Sequence, residues 1–299
     1  MSTKLVSVII PTYNREFTHL KRALNSVLSQ TYENLEVIVV DDNTFEKSED
    51  LEIERQIKSI NDNRIIYLKN YKNLGACASR NNGIKYSKGE YLSFLDDDDE
   101  WLPEKIEKQV ELFEKSSTNV GLIYCHSNTL NINKREEITK SKIRKKSVSN
   151  NIYSNLLLNN YIGSTSFVMI KRQVLERVGY FNEALPASQD YELWLRIAKH
   201  YDIKFTDYVL VNYYVHSGER ISNNKKAKCE ARKLIFDIYY QEFEKSRKIM
   251  SRKKMLFIPC IKNEKGTFKA FIYWFKAFIK FPFQLTHFKV LIKNFVRDK

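Results

Sequence analysis

Cysteine, proline and glycine are all scarce in this chain of 299 residues, which contains 4, 5 and 8 of them. The low glycine and proline content excludes a collagen-like or linker-rich protein. The cysteines lie far apart and form no CxxC motif, so they indicate neither a zinc site nor a disulfide framework. We therefore expect four buried or idle thiols and a reducing cytoplasm. They are Cys77, Cys125, Cys229 and Cys260.

Long apolar runs and glycine-rich phosphate loops are also missing. The first apolar run covers about six residues and ends at Pro11, which is too short for the core of a signal peptide, so we expect no export. Neither GxGxxG nor GxxxxGK[ST] occurs. Dinucleotide-binding and P-loop proteins are therefore disfavoured.

Positive charge is concentrated at one end of the chain. The net charge is +14, yet residues 1–224 contain 30 residues of each sign, and residues 225–299 contain 20 Lys and Arg against 6 Asp and Glu. A net charge of this size could suggest nucleic-acid binding, but all of the excess lies in residues 225–299. We predict a neutral domain over 1–224 and a basic C-terminal region over 225–299.

Four runs rich in β-branched and aromatic residues predict buried parallel strands, over residues 5–11, 35–41, 64–68 and 91–95. Helical spacing of apolar residues follows the first run and starts again after Pro103. This alternation predicts an α/β fold whose ligands bind beyond the carboxyl ends of the strands. Residues 133–151 are polar and aperiodic, which predicts a long loop.

Four consecutive aspartates, Asp96 to Asp99, directly follow the fourth predicted strand. One like-charge pair at about 4 Å is unfavourable by roughly 4 kcal/mol at an effective dielectric near 20, so the cluster needs a cation or wide exposure to solvent. Hard oxygen ligands at this edge favour Mg²⁺ or Mn²⁺, whose coordination shell is completed by substrate phosphates. An acidic surface loop is the alternative.

The ends of the other strands offer groups that suit a nucleotide. Pro11, Thr12 and Tyr13 follow the first strand, and an aromatic face can stack on a base. Asp42 follows the second strand and could accept the imide N–H of a uracil or thymine ring. Arg80 lies at a predicted helix start and suits a diphosphate. Taken singly, the tyrosine could be a packing residue and the aspartate part of a turn.

Taken in order, six motifs resemble family 2 glycosyltransferases over about residues 4–224: SVIIPTYNR, VIVVDDN, NLGACASRNNGI, GEYLSFLDDDDEWLPEK, VGYFNEALPASQDYELWLR and YYVHSGERIS. The resemblance implies a GT-A fold, a Rossmann-like and mostly parallel sheet with flanking helices, followed here by a basic α-helical region. It implies inverting transfer of a sugar from a nucleotide diphosphate sugar, with UDP as the expected nucleotide, to a hydroxyl of a glycan. A lipid-linked acceptor in surface polysaccharide or capsule synthesis is the expected setting.

The resemblance also assigns residues to the donor. Tyr13 is expected to stack on the base, Asp42 to bind its imide edge and Arg80 to contact the nucleotide. The full donor-binding set is Pro11, Thr12, Tyr13, Asp42, Arg80, Asp96 and Asp97. The expected metal ligands are the DxD pair Asp96 and Asp98, together with His216. A structural histidine is the alternative for the last of these.

Asp190 is the expected catalytic base by the same resemblance. A carboxylate must remove the proton of the acceptor hydroxyl as that oxygen attacks the anomeric carbon. A helix N-cap is the alternative role for Asp190, and Glu192 is an alternative base. Gln189 stands where the family often has an acid. Residues 161–166 are expected to help select the donor sugar.

Residues 267–281 form an amphipathic pattern. Three lysines, Lys269, Lys276 and Lys280, occupy one helical face. The opposite face contains Phe268, Phe271, Ile272, Phe275, Phe278 and Ile279. Because the lysines interrupt the apolar run, we expect this helix to lie on a membrane surface rather than to cross it. Packing on the domain or on a second copy, as in a homodimer, is the alternative.

Two other functions stay open at this point. The charged, aromatic tail would suit a nucleic-acid-binding protein, although that function leaves the aspartates unexplained and we expect no nucleic-acid partner. A sugar nucleotidylyltransferase would also use acids and a metal, but PTYNREFTHL lacks the glycines of its phosphate loop. We expect a cytoplasmic enzyme at the inner face of the plasma membrane.

Overall fold

A computed structural model of the chain describes residues 3–44, 48–133, 135–148, 150–216, 224–280 and 290, excluding the side chains of 48–51 and 277–280. The described strands form a single sheet in the order β3-β2-β1-β4-β8-β6-β9-β5, with β7 paired to β6. The strands are β1 (Val6–Thr12), β2 (Leu35–Asp41), β3 (Ile65–Lys69), β4 (Tyr91–Phe94), β5 (Glu100–Trp101), β6 (Val120–Ile132), β7 (Ile138–Arg144), β8 (Val168–Lys171) and β9 (Asp202–His216).

Helices connect the strands and form the C-terminal region. The first seven are α1 (Phe17–Leu28), α2 (Ser48–Ser59), α3 (Ala76–Tyr86), α4 (Lys105–Glu114), α5 (Ile152–Leu158), α6 (Arg172–Val178) and α7 (Gln189–Ala198). The C-terminal ones are α8 (Lys225–Ile238), α9 (Tyr240–Glu244), α10 (Arg247–Met255), α11 (Ile258–Lys265) and α12 (Thr267–Lys280). The predicted α/β fold with a helical C-terminal region is confirmed.

The N-terminal half of the sheet is parallel. β1 pairs in parallel with β2 and β4, and β2 pairs in parallel with β3. Alternate residues of β2 enter the two cores on opposite faces of the sheet, Ile38 and Val40 on one face and Val37 and Val39 on the other. A strand covered on both faces must be apolar throughout, which explains the continuous hydrophobic runs in the sequence. The carboxyl ends of β1, β2 and β4 consequently meet at one edge.

The second half of the sheet is mixed. β8 runs antiparallel to both β4 and β6, whereas β9 runs parallel to β6. The long loop predicted over 133–151 is wrong in part, because Ile138–Arg144 form β7, antiparallel to β6. Nearly every residue of β7 is exposed. A strand with solvent on both faces shows no apolar alternation, which is why its sequence resembled a loop.

The first C-terminal helices pack onto the sheet domain, and the later ones pack on one another. Ala231, Ile235 and Tyr239 join the same core as Trp194 of α7. A small further core holds Met255, Ile258, Ala270 and Trp274 together. None of the helices in the described ranges is long and apolar enough to cross a bilayer. The division at residue 224 stays a prediction.

The expectation of four idle thiols is wrong. Cys229 of α8 and Cys260 of α11 form a disulfide, with their Cα atoms 5.6 Å apart, while Cys77 and Cys125 are free and buried. Helix packing brings together two cysteines that are 31 residues apart in sequence, which their spacing alone could not show. Disulfides are rare in reducing compartments, so the pair removes one argument for the predicted cytoplasmic location.

Candidate active site

Aspartates at the end of β2 organise the neighbouring loops. Asp41 is fully buried and accepts hydrogen bonds from the Tyr67 hydroxyl at 2.6 Å and from Lys69 Nζ at 2.8 Å. Asp42 accepts from the backbone N–H groups of Leu74 and Gly75, at 2.9 and 2.8 Å. The predicted base-binding aspartate therefore fixes the loop that leads into α3.

The four aspartates after β4 point in different directions. Asp97 accepts from Thr12 Oγ1 at 2.8 Å and from Arg15 Nε at 3.0 Å. Burial raises the pKa of the Asp97 carboxyl to about 6. Asp99 is fully buried, accepts from Ser166 Oγ at 2.6 Å, and has a pKa raised by burial. These two side chains hold the turn in place, and direct contact of Asp97 with the donor stays a prediction.

Asp96 faces the loop before β8. It accepts from Arg80 Nη2 at 2.6 Å, from Thr165 Oγ1 at 3.1 Å and from Ser164 Oγ at 3.2 Å. The predicted nucleotide-binding arginine and the first aspartate of the DxD pair thus form an ion pair. Arg80 Nε is buried and has no hydrogen-bond partner within the described part of the chain.

Asp98 lies beside the end of β9. Its Oδ2 is 3.2 Å from Arg15 Nη2 and 3.6 Å from His216 Nε2, and its carbonyl accepts from Arg22 Nη2 at 2.8 Å. Sequence reasoning placed Asp98 and His216 together, and the structure brings them together. Across the described residues, no three His, Cys, Asp or Glu side chains are arranged to hold a metal ion.

Tyr13, the residue expected to stack on a base, lies at the same edge. Its side chain is 54% exposed just beyond β1. Asn14 has a positive φ of 47°, and its N–H donates to Asn43 Oδ1 at 2.7 Å. This turn holds the backbone while leaving the aromatic ring free for a ligand.

Asp190 lies in the first turn of α7. The helix N-cap is Ser188, so the capping role considered for Asp190 is wrong. Its carboxylate accepts from the Tyr191 N–H at 2.7 Å and from Asn160 Nδ2 at 3.3 Å. Burial raises the pKa of Asp190 to about 6, while the charge of Arg80 lowers it and that of Asp96 raises it. Asn160 Oδ1 also accepts from the Gly163 N–H at 2.9 Å, and the next residue, Ser164, donates to Asp96 at 3.2 Å, so one loop contacts both Asp190 and the donor residue Asp96.

Glu192, the alternative base, is occupied elsewhere. It is 2% exposed and accepts from Arg196 Nε at 2.8 Å and from the Tyr239 hydroxyl at 3.2 Å. A carboxylate paired in this way between α7 and the C-terminal helices is unsuited to deprotonating an acceptor. Asp190 is therefore the better candidate.

Several residues at this edge were missed or only loosely predicted from sequence. Arg15, just before α1, and Arg22, within α1, approach the aspartate turn from one side, and Ser164 and Thr165 approach it from the loop before β8. Arg15, Ser164 and Thr165 follow or precede predicted elements, whereas Arg22 lies inside a helix and gave no signal in the sequence. The arginines also explain how four adjacent carboxylates coexist, because each cation offsets part of their mutual repulsion.

An α/β sheet with acidic and basic groups at the carboxyl edge of its parallel half is typical of the α/β proteins that bind ligands beyond the ends of their strands. Residues 7–179 match the family described as glycosyl transferase family 2. The chain belongs to this family, as the sequence motifs predicted.

Curated relatives agree with the family. The chain is 34% identical over 227 residues to the UDP-Glc:alpha-D-GlcNAc-diphosphoundecaprenol beta-1,3-glucosyltransferase WfaP of Escherichia coli, covering 74% of this chain and 81% of that protein. It is 30% identical over 282 residues to an uncharacterized glycosyltransferase of Haemophilus influenzae, covering 92% of this chain and 90% of the relative. It is 38% identical over 234 residues to an uncharacterized glycosyltransferase of Rickettsia conorii, covering 74% of this chain but only 36% of that longer protein.

Solved structures support the fold. The crystal structure of Staphylococcus aureus TarS 1-349 in complex with UDP-GlcNAc matches with a TM-score of 0.66 at 19% identity, covering 91% of this chain and 79% of TarS 1-349. At that identity, the likeness establishes the fold alone. The expected GT-A architecture is confirmed.

Proposed function

We propose that this protein transfers a sugar from a UDP-sugar to a hydroxyl of a lipid-linked glycan by a single inverting displacement. The observation that carries the proposal is that the loop over residues 160–165 contacts Asp190 through Asn160, and contacts the Asp96 of the Arg80–Asp96 ion pair through Ser164 and Thr165. A carboxylate whose pKa is raised to about 6 by burial is suited to accept the proton of an acceptor hydroxyl near neutral pH. WfaP, whose name includes UDP-Glc and a diphosphoundecaprenol acceptor, supports both substrate classes.

The donor is proposed to lie along the carboxyl edge from β2 to β4. Tyr13 would stack on the base, and base stacking on an aromatic ring contributes roughly 1–3 kcal/mol. The buried Arg80 Nε, which has no partner among the described residues, would donate to the diphosphate. Arginine suits this role because its planar guanidinium binds phosphate oxygens at two points.

A divalent cation forms part of the proposal. Asp98 offers a carboxylate oxygen and His216 an imidazole nitrogen, 3.6 Å apart, and Mn²⁺ accepts both donor types. These two residues would hold the ion, with Asp98 Oδ2 giving up its contact at 3.2 Å with Arg15 Nη2. Asp96, the other member of the predicted DxD pair, contacts Arg80 at 2.6 Å. When bound, the metal would stabilise negative charge on the departing diphosphate.

A titration of UDP-, dTDP- and GDP-sugars, with and without Mn²⁺, tests the donor site. We expect one UDP-sugar to bind tightly only with Mn²⁺, and Asp98→Ala to remove that metal dependence. Asp190→Ala and the exposed control Asp237→Ala should bind the donor as the unmodified chain does. Absence of nucleotide-sugar binding throughout the panel would contradict the proposed function.

The helix α12 is proposed to attach the protein to an anionic membrane surface. Ala270 and Trp274 are buried, while Phe268 is 76% and Phe275 49% exposed, so the apolar face points away from the protein. Lys269 on the same helix is exposed, and each lysine near an anionic leaflet adds about 1 kcal/mol of attraction.

Sedimentation with phosphatidylglycerol vesicles tests this attachment. Burying a phenylalanine in lipid contributes about 1.5–3 kcal/mol, so Phe275→Ser should weaken binding about tenfold or more. Ile143→Ser is the matched control, because Ile143 is an exposed apolar residue of β7. Equal sedimentation of both variants would show that α12 is not the attachment.

A further inference from the structure

A cavity of about 170 Å³ lies between the start of α7 and the C-terminal helices. A water molecule occupies about 30 Å³ in the liquid, so this space would hold several waters or a small anionic group. Lys253 of α10, Arg232 of α8 and Asn160 line it, together with Phe236 and Phe257. Among the residues that the structure describes, no aspartate or glutamate lines it.

The lysine of this cavity is buried and has no carboxylate partner among the described residues. Lys253 is 7% exposed, and its Nζ donates to the Tyr191 hydroxyl at 2.7 Å. The same Nζ lies 4.9 Å from the centre of the Tyr191 ring and 5.2 Å from that of Phe243. A neutral phenol and two aromatic faces compensate only part of the desolvation of an ammonium group, so a further negative partner would be stabilising.

Two arginines add positive charge near Lys253. Arg232 Nη1 donates to the carbonyl of Leu256 at 3.0 Å, and Arg252 Nε donates to Asn159 Oδ1 at 3.0 Å. Within the described ranges, neither arginine pairs with a carboxylate. Burial, together with the charges of Arg252 and Arg232, lowers the pKa of Lys253 to about 7. Mutual repulsion among these cations would be relieved by one bound anion.

The cavity adjoins the proposed base through a single side chain. Asn160 lines the cavity, and its Nδ2 donates to Asp190 Oδ2 at 3.3 Å. In an acceptor whose sugar is carried on a diphosphate, one sugar ring separates the reacting hydroxyl from the phosphates. An anion held in the cavity would therefore place the first sugar beside Asp190.

We propose that this cavity binds the diphosphate of a prenyl-linked acceptor, an inference that rests on the proposed function and specifies its acceptor site. Lys253 and Arg232 contact the phosphate oxygens, and Phe236 and Phe257 receive the start of the apolar chain. Leu256, between α10 and α11, also lines the cavity and is 37% exposed. The cavity wall thus continues into the helices that pack on α12.

Binding of farnesyl diphosphate to the full chain, measured by calorimetry with the donor site saturated with UDP and Mn²⁺, tests this site. Lys253→Met keeps the length of the side chain and removes its charge, and Lys248→Met is the control from an exposed position on α10. Loss of a hydrogen bond to a charged group predicts about tenfold or greater weakening for Lys253→Met, with no change for Lys248→Met. Equal affinities of the two variants would overturn the site.

Two further ligands distinguish the possible sources of the anion. Farnesol should not bind, because it lacks the diphosphate. Inorganic pyrophosphate should bind more weakly than farnesyl diphosphate, because it lacks the apolar prenyl chain. Farnesol binding as tightly as farnesyl diphosphate would show a merely apolar cavity and overturn the proposal. If pyrophosphate bound as tightly as farnesyl diphosphate, the assignment of the cavity to a lipid-linked acceptor would be overturned.

A measurement on the unmodified chain tests the site even if the Lys253→Met variant does not fold. Lys253 should react with an amine-acetylating reagent near neutral pH, and farnesyl diphosphate should protect it, as read by peptide mass spectrometry. Unprotected acetylation at saturating farnesyl diphosphate would contradict the site. UDP binding, established in the same samples, separates the two proposals: its failure rejects the donor site, whereas failure of protection alone rejects only the acceptor site.

Discussion

Replacing Asp190 with asparagine should stabilise the fold and remove activity at the same time. The carboxyl has a pKa of about 6 in the folded chain against an ordinary value of 3.8, because it is buried. A carboxyl whose pKa is higher in the folded chain than in the unfolded chain destabilises the folded state. This effect begins as the pH rises above the pKa of the unfolded chain. The full effect is present above the folded pKa, and at about 1.4 kcal/mol per pH unit it amounts to about 3 kcal/mol.

The asparagine side chain would keep part of the local bonding. Its Oδ1 can still accept from the Tyr191 N–H, but its amide would face the Asn160 Nδ2 donor, which now donates to Asp190. Asn160 cannot turn over freely, because its Oδ1 accepts from the Gly163 N–H at 2.9 Å. Losing one hydrogen bond is worth about 1 kcal/mol. The expected net gain at pH 8 is therefore about 2 kcal/mol.

Urea denaturation of Asp190→Asn at pH 8 and at pH 4 measures this effect. The free energy of unfolding of the variant should exceed that of the parent at pH 8 but not at pH 4, where the carboxyl of the folded parent is protonated. Asp237→Asn, at an exposed position on α8, should show no such pH-dependent difference. A variant that is less stable than the parent at both pH values would refute the reasoning from burial.

The kinetic counterpart uses the same variant. Loss of a general base lowers kcat by about 10²- to 10⁴-fold, while UDP-sugar affinity should be unchanged. In the parent enzyme, the acid limb of the pH profile of kcat should rise through about pH 6, because only the ionised carboxylate accepts a proton. Full activity of Asp190→Asn would exclude this residue as the base.

Three other substitutions test the structure. Glu192→Gln should lower the free energy of unfolding by about 3 kcal/mol, because it removes the buried charged partner of Arg196. The kcat should be unchanged, and a large loss of kcat in a folded variant would restore Glu192 as a candidate base. Gly89→Ala should lower that free energy by about 2 kcal/mol, because its Cβ would lie 2.5 Å from Ser7 Oγ and 2.6 Å from Ser7 N; an unchanged urea midpoint would contradict this packing. Cys260→Ser should destabilise the chain by about 3–4 kcal/mol through loss of a cross-link spanning 31 residues, and alkylation of denatured, unreduced parent protein should label two cysteines rather than four.

The sequence alone determined the parallel half of the sheet and the motifs at its edge. Strands buried on both faces must be apolar throughout, so Val6–Thr12 and Leu35–Asp41 were visible as continuous runs. Polar residues directly after those runs had to lie at one edge. Local signals of this kind survive in sequence because strand and site are adjacent in the chain.

Which groups meet across long separations in the sequence was visible only in the tertiary structure. Asp98 and His216 are brought together by the register of β9, and Cys229 and Cys260 by the packing of α8 against α11. The cavity containing Lys253 likewise exists only because the C-terminal helices pack beside α7. Contacts between distant segments depend on how whole elements pack, and a single sequence does not record that packing in any local pattern.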